Sequence, residues 1–187
     1  MKKENTDFFR FLALLLISFF LTTGAFAEQT IIGTGDSSED LRSLRNAVDR
    51  GGKIILKGTF DLGYLEWNSV GITKDTRIIG AVHNGQPPTI KHGSPAVVVG
   101  LNHDWGEWFP DASLSIKGVH FVDSFGMAIA GVVHGNLTIK DCMFSNVFPD
   151  AMFGDAQAAI RINLFGIPML KTGKISIENN VIDLNPH

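Results

Sequence analysis

The stretch Asn102-His103-Asp104-Trp105-Gly106-Glu107-Trp108-Phe109-Pro110-Asp111 sets two tryptophans among three carboxylates in a single short segment. An exposed indole face stacks on a sugar ring while neighbouring acids accept its hydroxyls. Trp105, Trp108, Asp104 and Glu107 are therefore candidate carbohydrate-binding residues. The competing reading folds Trp105, Trp108 and Phe109 down onto the body as loop anchors, because large aromatics are mostly buried. Further on, Asp150 and Asp155 precede Ala159-Ile160-Arg161-Ile162. Alternation puts Ile160 and Ile162 on one face of a strand and Arg161 on the other. An outward Arg between acidic loops suits an anionic sugar, whereas a plain surface ion pair is the more ordinary use of the same residues.

Other chemistries have less to stand on. The histidines, at 83, 92, 103, 120, 134 and 187, are dispersed and show no metal-ligand spacing, so no metal site is expected from them. Cys142 is the one cysteine, which rules out an internal disulfide, and its place inside a repeat fits packing better than reactivity. There is no basic cluster and no basic helix, so neither nucleic acid nor an anionic membrane is an expected partner.

The elements that must position these residues repeat. Leu114-Ser115-Ile116-Lys117-Gly118-Val119-His120-Phe121 returns as Leu137-Thr138-Ile139-Lys140-Asp141-Cys142-Met143-Phe144. It returns again as Ile175-Ser176-Ile177-Glu178-Asn179-Asn180-Val181-Ile182, and a looser copy lies upstream, over 76–83. Each copy is a short alternating strand followed by Gly, Asp or Asn, a turn-former that bends the chain away. Such a unit cannot bury its apolar face alone, so copies stack on one another. The step from Leu114 to Leu137 is then one coil. The longer and mutually equal steps, from Thr76 to Leu114 and from Leu137 to Ile175, are the same coil carrying insertions. Second strands are expected at 96–99, 128–131 and 159–162, and the insertions at 101–112 and before and after 159–162 then flank one strand stack. Val119, Cys142 and Asn180 share a column after the bend, where only Asn180 offers side-chain hydrogen bonding.

Upstream, Thr30 to Gly35 reads as an extended entry. Asp36-Ser37-Ser38 supplies N-cap chemistry, with Ser37 and Asp40 at capping-box spacing. Leu41, Leu44, Ala47 and Val48 recur at helical intervals, Gly51-Gly52 ends the segment, and Arg42, Arg45 and Asp49 are expected in water. A strand at Ile54-Ile55-Leu56 and a turn at Lys57-Gly58-Thr59-Phe60 follow. The segment 1–27 has a different character. Lys2, Lys3 and Arg10 precede an apolar run from Phe11 to Leu21, and then comes Ala25-Phe26-Ala27. That is the pattern of a secretory signal peptide, and the run is shorter than the roughly 18–20 residues a membrane span needs. Its removal would leave one domain over 28–187 and imply a secreted or periplasmic protein. Loss of Lys2, Lys3 and Arg10 together with Glu4 and Asp7 would change the net charge from −3 to −4.

A helix, Gly-Gly, an apolar strand and a Gly-Thr-Phe turn, followed by stacked repeats, resembles the start of the pectin-lyase-like right-handed parallel β-helices. The resemblance covers almost the whole of 28–187 but is strong in architecture alone. It implies an all-β solenoid of about four or five coils, with the helix capping the N-terminal end. No comparable device follows the last repeat, so its coil is expected to stay open, to meet a partner, or, the favoured reading, to continue in a longer chain. In polysaccharide lyases of this fold a basic residue removes the proton α to a uronate carboxylate while calcium or another cation neutralises that carboxylate. By that resemblance Arg161, Asp150 and Asp155 become the catalytic candidates and calcium the conceivable cofactor. The hydrolase signatures of the family, Asn-Thr-Asp with a following Asp-Asp and Arg-Ile-Lys, are missing, as is the close carboxylate cluster of pectate lyases. The expectation is a protein acting on or binding an acidic polysaccharide, lyase before hydrolase. The alternative is a non-catalytic, adhesin-like solenoid or an inactive N-terminal fragment.

Overall fold

A computed structural model describes residues 28–64, 68–109, 111–149, 157–163 and 173–183. The expected signal peptide, Asp150 and Asp155 lie outside the described residues. The chain is mostly β, with one helix and every strand pair parallel among the described residues.

The helix α1, Ser37–Arg50, begins where Asp36 accepts hydrogen bonds from the N–H groups of Ser38 and Glu39, both at 3.0 Å. It ends at Gly51, whose φ of +72° takes the chain out of helical conformation while its N–H still reaches Val48 O at 2.9 Å. Leu44, Ala47 and Val48 join the core, and α1 packs over β1 (Gln29–Thr34), β2 (Gly52–Asp61) and β3 (Val70–Ile72). The cap is therefore Asp36, not a Ser37–Asp40 box. Asp40 is fully buried and turns inward. Its Oδ1 accepts from Thr34 N and Oγ1 at 2.8 and 3.0 Å, and its Oδ2 from Gly35 N and Asp61 N at 2.8 and 2.9 Å. These donors replace the water that the buried carboxylate gives up, which is the condition for a charge to sit inside a fold.

The expected turn at 57–60 is instead a bend within β2, which stays extended to Asp61. Gly58, at φ +76°, makes the corner, and Gly33 crosses so close that a Cβ on it would sit 2.2 Å from Thr59 O. Because it is bent, β2 serves two limbs of one curled sheet. Its first half pairs with β4 (Thr76–Gly80), then β7 (Leu114–Lys117), β10 (Leu137–Lys140) and β13 (Ile175–Glu178) follow. Its second half pairs with β5 (Thr89–Lys91), and β8 (His120–Val122), β11 (Met143–Ser145) and β14 (Val181–Asp183) follow. A separate four-stranded sheet runs β12 (Ala158–Asn163), β9 (Met127–Val132), β6 (Val97–Val99), β3.

Register follows the repeats. Ile54, Ile78, Ile116, Ile139 and Ile177 form one column, and Phe60, Ile90, Phe121, Phe144 and Ile182 another. The Phe121 and Phe144 rings stack at 5.1 Å with 5° between planes. The bends between strands fall at Gly118, Asp141 and Asn179, with φ of 67°, 52° and 53°. Glycine adopts this left-handed region freely, and Asp and Asn tolerate it best among the others. Cys142 is buried in the next column, and Asn180 locks it by accepting from Cys142 N at 2.9 Å and donating to Ile139 O at 3.0 Å. In the looser copy the second strand is not Ala81-Val82-His83 but β5. Asn84-Gly85, both at positive φ, closes a small hairpin between His83 and Gln86 and delays it.

A polar ladder precedes the strands of the first limb. Asp75 Oδ1 accepts from Ser113 N at 2.9 Å, Ser113 Oγ from Asn136 N at 3.1 Å, and Asn136 Oδ1 from Lys174 N at 2.9 Å. Each side chain thus satisfies the next layer's first free N–H, where the ladder of backbone bonds has not yet begun.

Candidate site on the outer face of the four-stranded sheet

The second strands expected at 96–99, 128–131 and 159–162 are found as β6, β9 and β12, with Val97, Ile129 and Ile160 in register. Sequence reading misses β3, whose Val-Gly-Ile shows no apolar–polar alternation. Val70 and Ile72 face the core, which leaves Gly71, Val98, Ala130 and Arg161 as an outward column.

The loop after β6 folds back over this face. Leu101 bridges Trp108 in antiparallel fashion, and Asn102 Oδ1 accepts from Gly106 N at 3.0 Å. Trp105 N donates to Asn102 O at 3.1 Å, with Trp105 itself at φ +60°. Backbone comes so close to β3 that a Cβ on Gly71 would stand 2.6 Å from Asn102 C and Leu101 O. His103 fixes the contact. Its Nδ1 accepts from Gly71 N at 2.8 Å, which leaves the proton on Nε2, 3.1 Å from Asp49 Oδ1 of α1. Burial pushes the His103 pKa down and Arg45 adds to this, while Asp49 and Asp104 pull upward, so the neutral ring is the form that fits. β3 ends its sheet, and the imidazole closes an N–H that an edge strand would otherwise expose.

Arg45 is not in water as expected. It is half-buried, its Nε donates to Ser69 O at 3.0 Å, and burial lowers its pKa against the pull of Asp104 and Asp49. His103 and Asp49, which brace the loop, and Arg45, which holds Ser69 O beside it, were legible only as one of several dispersed histidines and as a helix surface.

The predicted sugar-binding residues then separate. Trp105 is half-buried and Trp108 is 60 % exposed, with Asp104 and Glu107 exposed beside it. Trp105 fits the anchoring reading and Trp108 the ring-presenting one. Arg161 is exposed on the same sheet face, with Ile160 and Ile162 packed against the core, as alternation predicts. It makes no ion pair with a described residue. The loop is pinned at β3 and Arg161 stands three strands away, about 14 Å at ordinary strand spacing. The two halves of the expected site thus belong to one sheet face, with Trp108 beside Leu101 just past β6.

Three other histidines have separate partners. His92 Nδ1 lies 2.7 Å from Asp61 Oδ1, His120 Nε2 lies 2.8 Å from Ser145 Oγ, and His134 is 3.9 Å from Asp111. Among the described residues no three His, Cys, Asp or Glu side chains converge to hold a metal ion; Asp150 and Asp155, to which the calcium expectation is tied, lie outside them.

Comparison with protein-family models, with curated proteins and with solved structures gave no match in any of the three.

Proposed function

We propose that this chain is a right-handed parallel β-helix, exported behind residues 1–27, that holds an acidic polysaccharide along the outer face of its four-stranded sheet. The observation that carries this reading is Trp108, a large aromatic left exposed directly after Glu107, with Asp104 exposed in the same loop, which is braced through His103. A rigid exposed indole is a costly surface unless something stacks on it, and flanking acids supply acceptors for sugar hydroxyls. Arg161 supplies the charge for a carboxylate farther along the same face. The right-handed β-helix is supported by parallel, in-register pairing of every repeat and by α1 over the first layer.

Calorimetric titration with polygalacturonate and with a neutral polysaccharide tests the reading. The acidic polymer should bind, Trp108→Ala should weaken it about tenfold or more, and Arg161→Ala should weaken it most at low salt. Wild-type protein that binds neither polymer, or both equally, refutes it. Lyase action, with Arg161 taking the proton α to the uronate carboxylate, is tested in the same mixture by the ultraviolet absorbance of an unsaturated product. It should disappear in Arg161→Ala while the fold persists.

A second reading, a non-catalytic assembling or adhesin-like solenoid, is favoured by the β13–β14 layer. There Ile175, Ile177, Val181 and Ile182 are each more than two-fifths exposed. Concentration-dependent sedimentation that is abolished by Ile177→Lys would support it.

A further inference from the structure

We infer that the curled sheet carries a second, separate site for an acidic sugar on its outer face, centred on Arg77. The first limb presents an outward column that runs Lys53, Arg77, Ser115, Thr138 and Ser176 across β2, β4, β7, β10 and β13. Its first four members line an open groove of about 410 Å³ whose floor ends at Asp75 and Asn136.

The groups in this groove differ in how far the fold has committed them. Lys53 Nζ is already 2.5 Å from Glu28, and Asp75 gives one oxygen to Ser113 N. Arg77 is exposed and makes no hydrogen bond or ion pair with a described residue, and the same holds for the hydroxyls of Ser115 and Thr138. A guanidinium, two hydroxyls and the second oxygen of a carboxylate therefore stand free at neighbouring strand positions on a rigid sheet. A guanidinium is a planar fork that matches a carboxylate with two parallel hydrogen bonds. Hydroxyls at strand spacing serve ring hydroxyls, and the Asp75 oxygen accepts where a simple anion would be repelled. A small inorganic anion uses only Arg77; a uronate uses all four. Lys53 is committed to Glu28, so Arg77 is the cation this groove leaves for an acidic ligand with hydroxyls.

The ligand class rests on the proposed function, but the site shares no residue with it. The test is titration of the full chain with a tetragalacturonate, using wild type, Arg77→Gln, Trp108→Ala and the double variant, with amide chemical shifts followed at Ser115 and Thr138. The expected result is two classes of site in wild type, one of them weakened in each single variant while the other is unchanged, and both weakened in the double. Arg77→Gln should weaken its own class on the order of tenfold or more, with the melting temperature unchanged. Binding in Trp108→Ala that is equal with and without Arg77 overturns this inference and leaves the other reading intact. Loss in Arg77→Gln with no effect of Trp108→Ala upholds this site and overturns the first. No binding by wild type overturns both. Ser115→Val with Thr138→Val should reproduce the Arg77→Gln loss in part; unchanged affinity there reduces the site to a bare charge and refutes the sugar assignment.

Discussion

Asp40 is the most demanding residue in the fold, and Asp40→Ala shows how much rests on it. The substitution removes the acceptor for Thr34 N, Gly35 N, Asp61 N and the Thr34 hydroxyl. Gly35 N keeps a second acceptor in Thr59 O at 3.1 Å, so the N–H groups of Thr34 and Asp61 are the ones orphaned. Each unsatisfied buried donor costs about 1–3 kcal/mol, and the lost bonds were charge-assisted, so the total is about 3–5 kcal/mol. Against a typical total stability of about 5–15 kcal/mol this leaves a marginal protein. In urea the midpoint should fall by about 2 M with little change in slope. Asp40→Asn should fare hardly better, because an amide turns N–H groups toward some of the donors that the carboxylate satisfied. Unfolding of Asp40→Ala within about 1 kcal/mol of wild type would refute this account, since it would mean that water reaches those N–H groups.

Two further outcomes follow from buried titrating groups. The His103 pKa is held below the ordinary 6.5, so the folded chain binds fewer protons than the unfolded one between that lowered value and 6.5. Stability from this contact is full above 6.5, falls as pH drops through the window and levels off beneath it; His120, also pushed down by burial, acts with the same sign. The urea midpoint should therefore fall between about pH 7.5 and about pH 5, and less so in His103→Gln; an unchanged difference refutes the neutral-imidazole brace. Burial raises the Cys142 thiol pKa and the side chain is 2 % exposed, so a thiol reagent should label it only at the rate of unfolding. Rapid labelling of native protein would place that column at the surface.

The repeated strands were legible because burial of one face writes an alternating pattern, and a left-handed bend writes Gly, Asp or Asn behind it. That is why β7, β10 and β13, and the register of Ala96, Ala128 and Ala159, could be read directly. Elements without such a pattern were missed. β3 has Gly71 outward, because a loop lies against it, so no polar residue marks its wet face. The ladder of Asp75, Ser113 and Asn136 was visible in principle, since each stands one residue before a repeat, but its meaning needs the stacking that joins them. Asp40 mimics a capping box in spacing, and only the approach of Thr34 and Asp61 shows what it holds. The candidate site was legible as an aromatic and acidic loop. Its brace was not, because His103 is far along the chain from both Gly71 and Asp49, and no local pattern links such distances.

The register columns also decide how the molecule comes apart. Among the described residues each layer pairs with the layer before it and the one after, so cohesion is a sum of nearest-neighbour terms. Among the described residues Ile177 and Ile182 have a neighbouring layer on one side, at Ile139 and Phe144, whereas Phe121 is held between Ile90 and Phe144. Amide exchange should accordingly be graded along the stack, fastest in β13 and β14 and slowest around β2 and β4. The open groove at Arg77 belongs to the slow end and the Arg161 strand to the fraying half. A ligand that engages Arg161 would thus meet a sheet that opens often, and one seated at Arg77 a sheet that hardly opens.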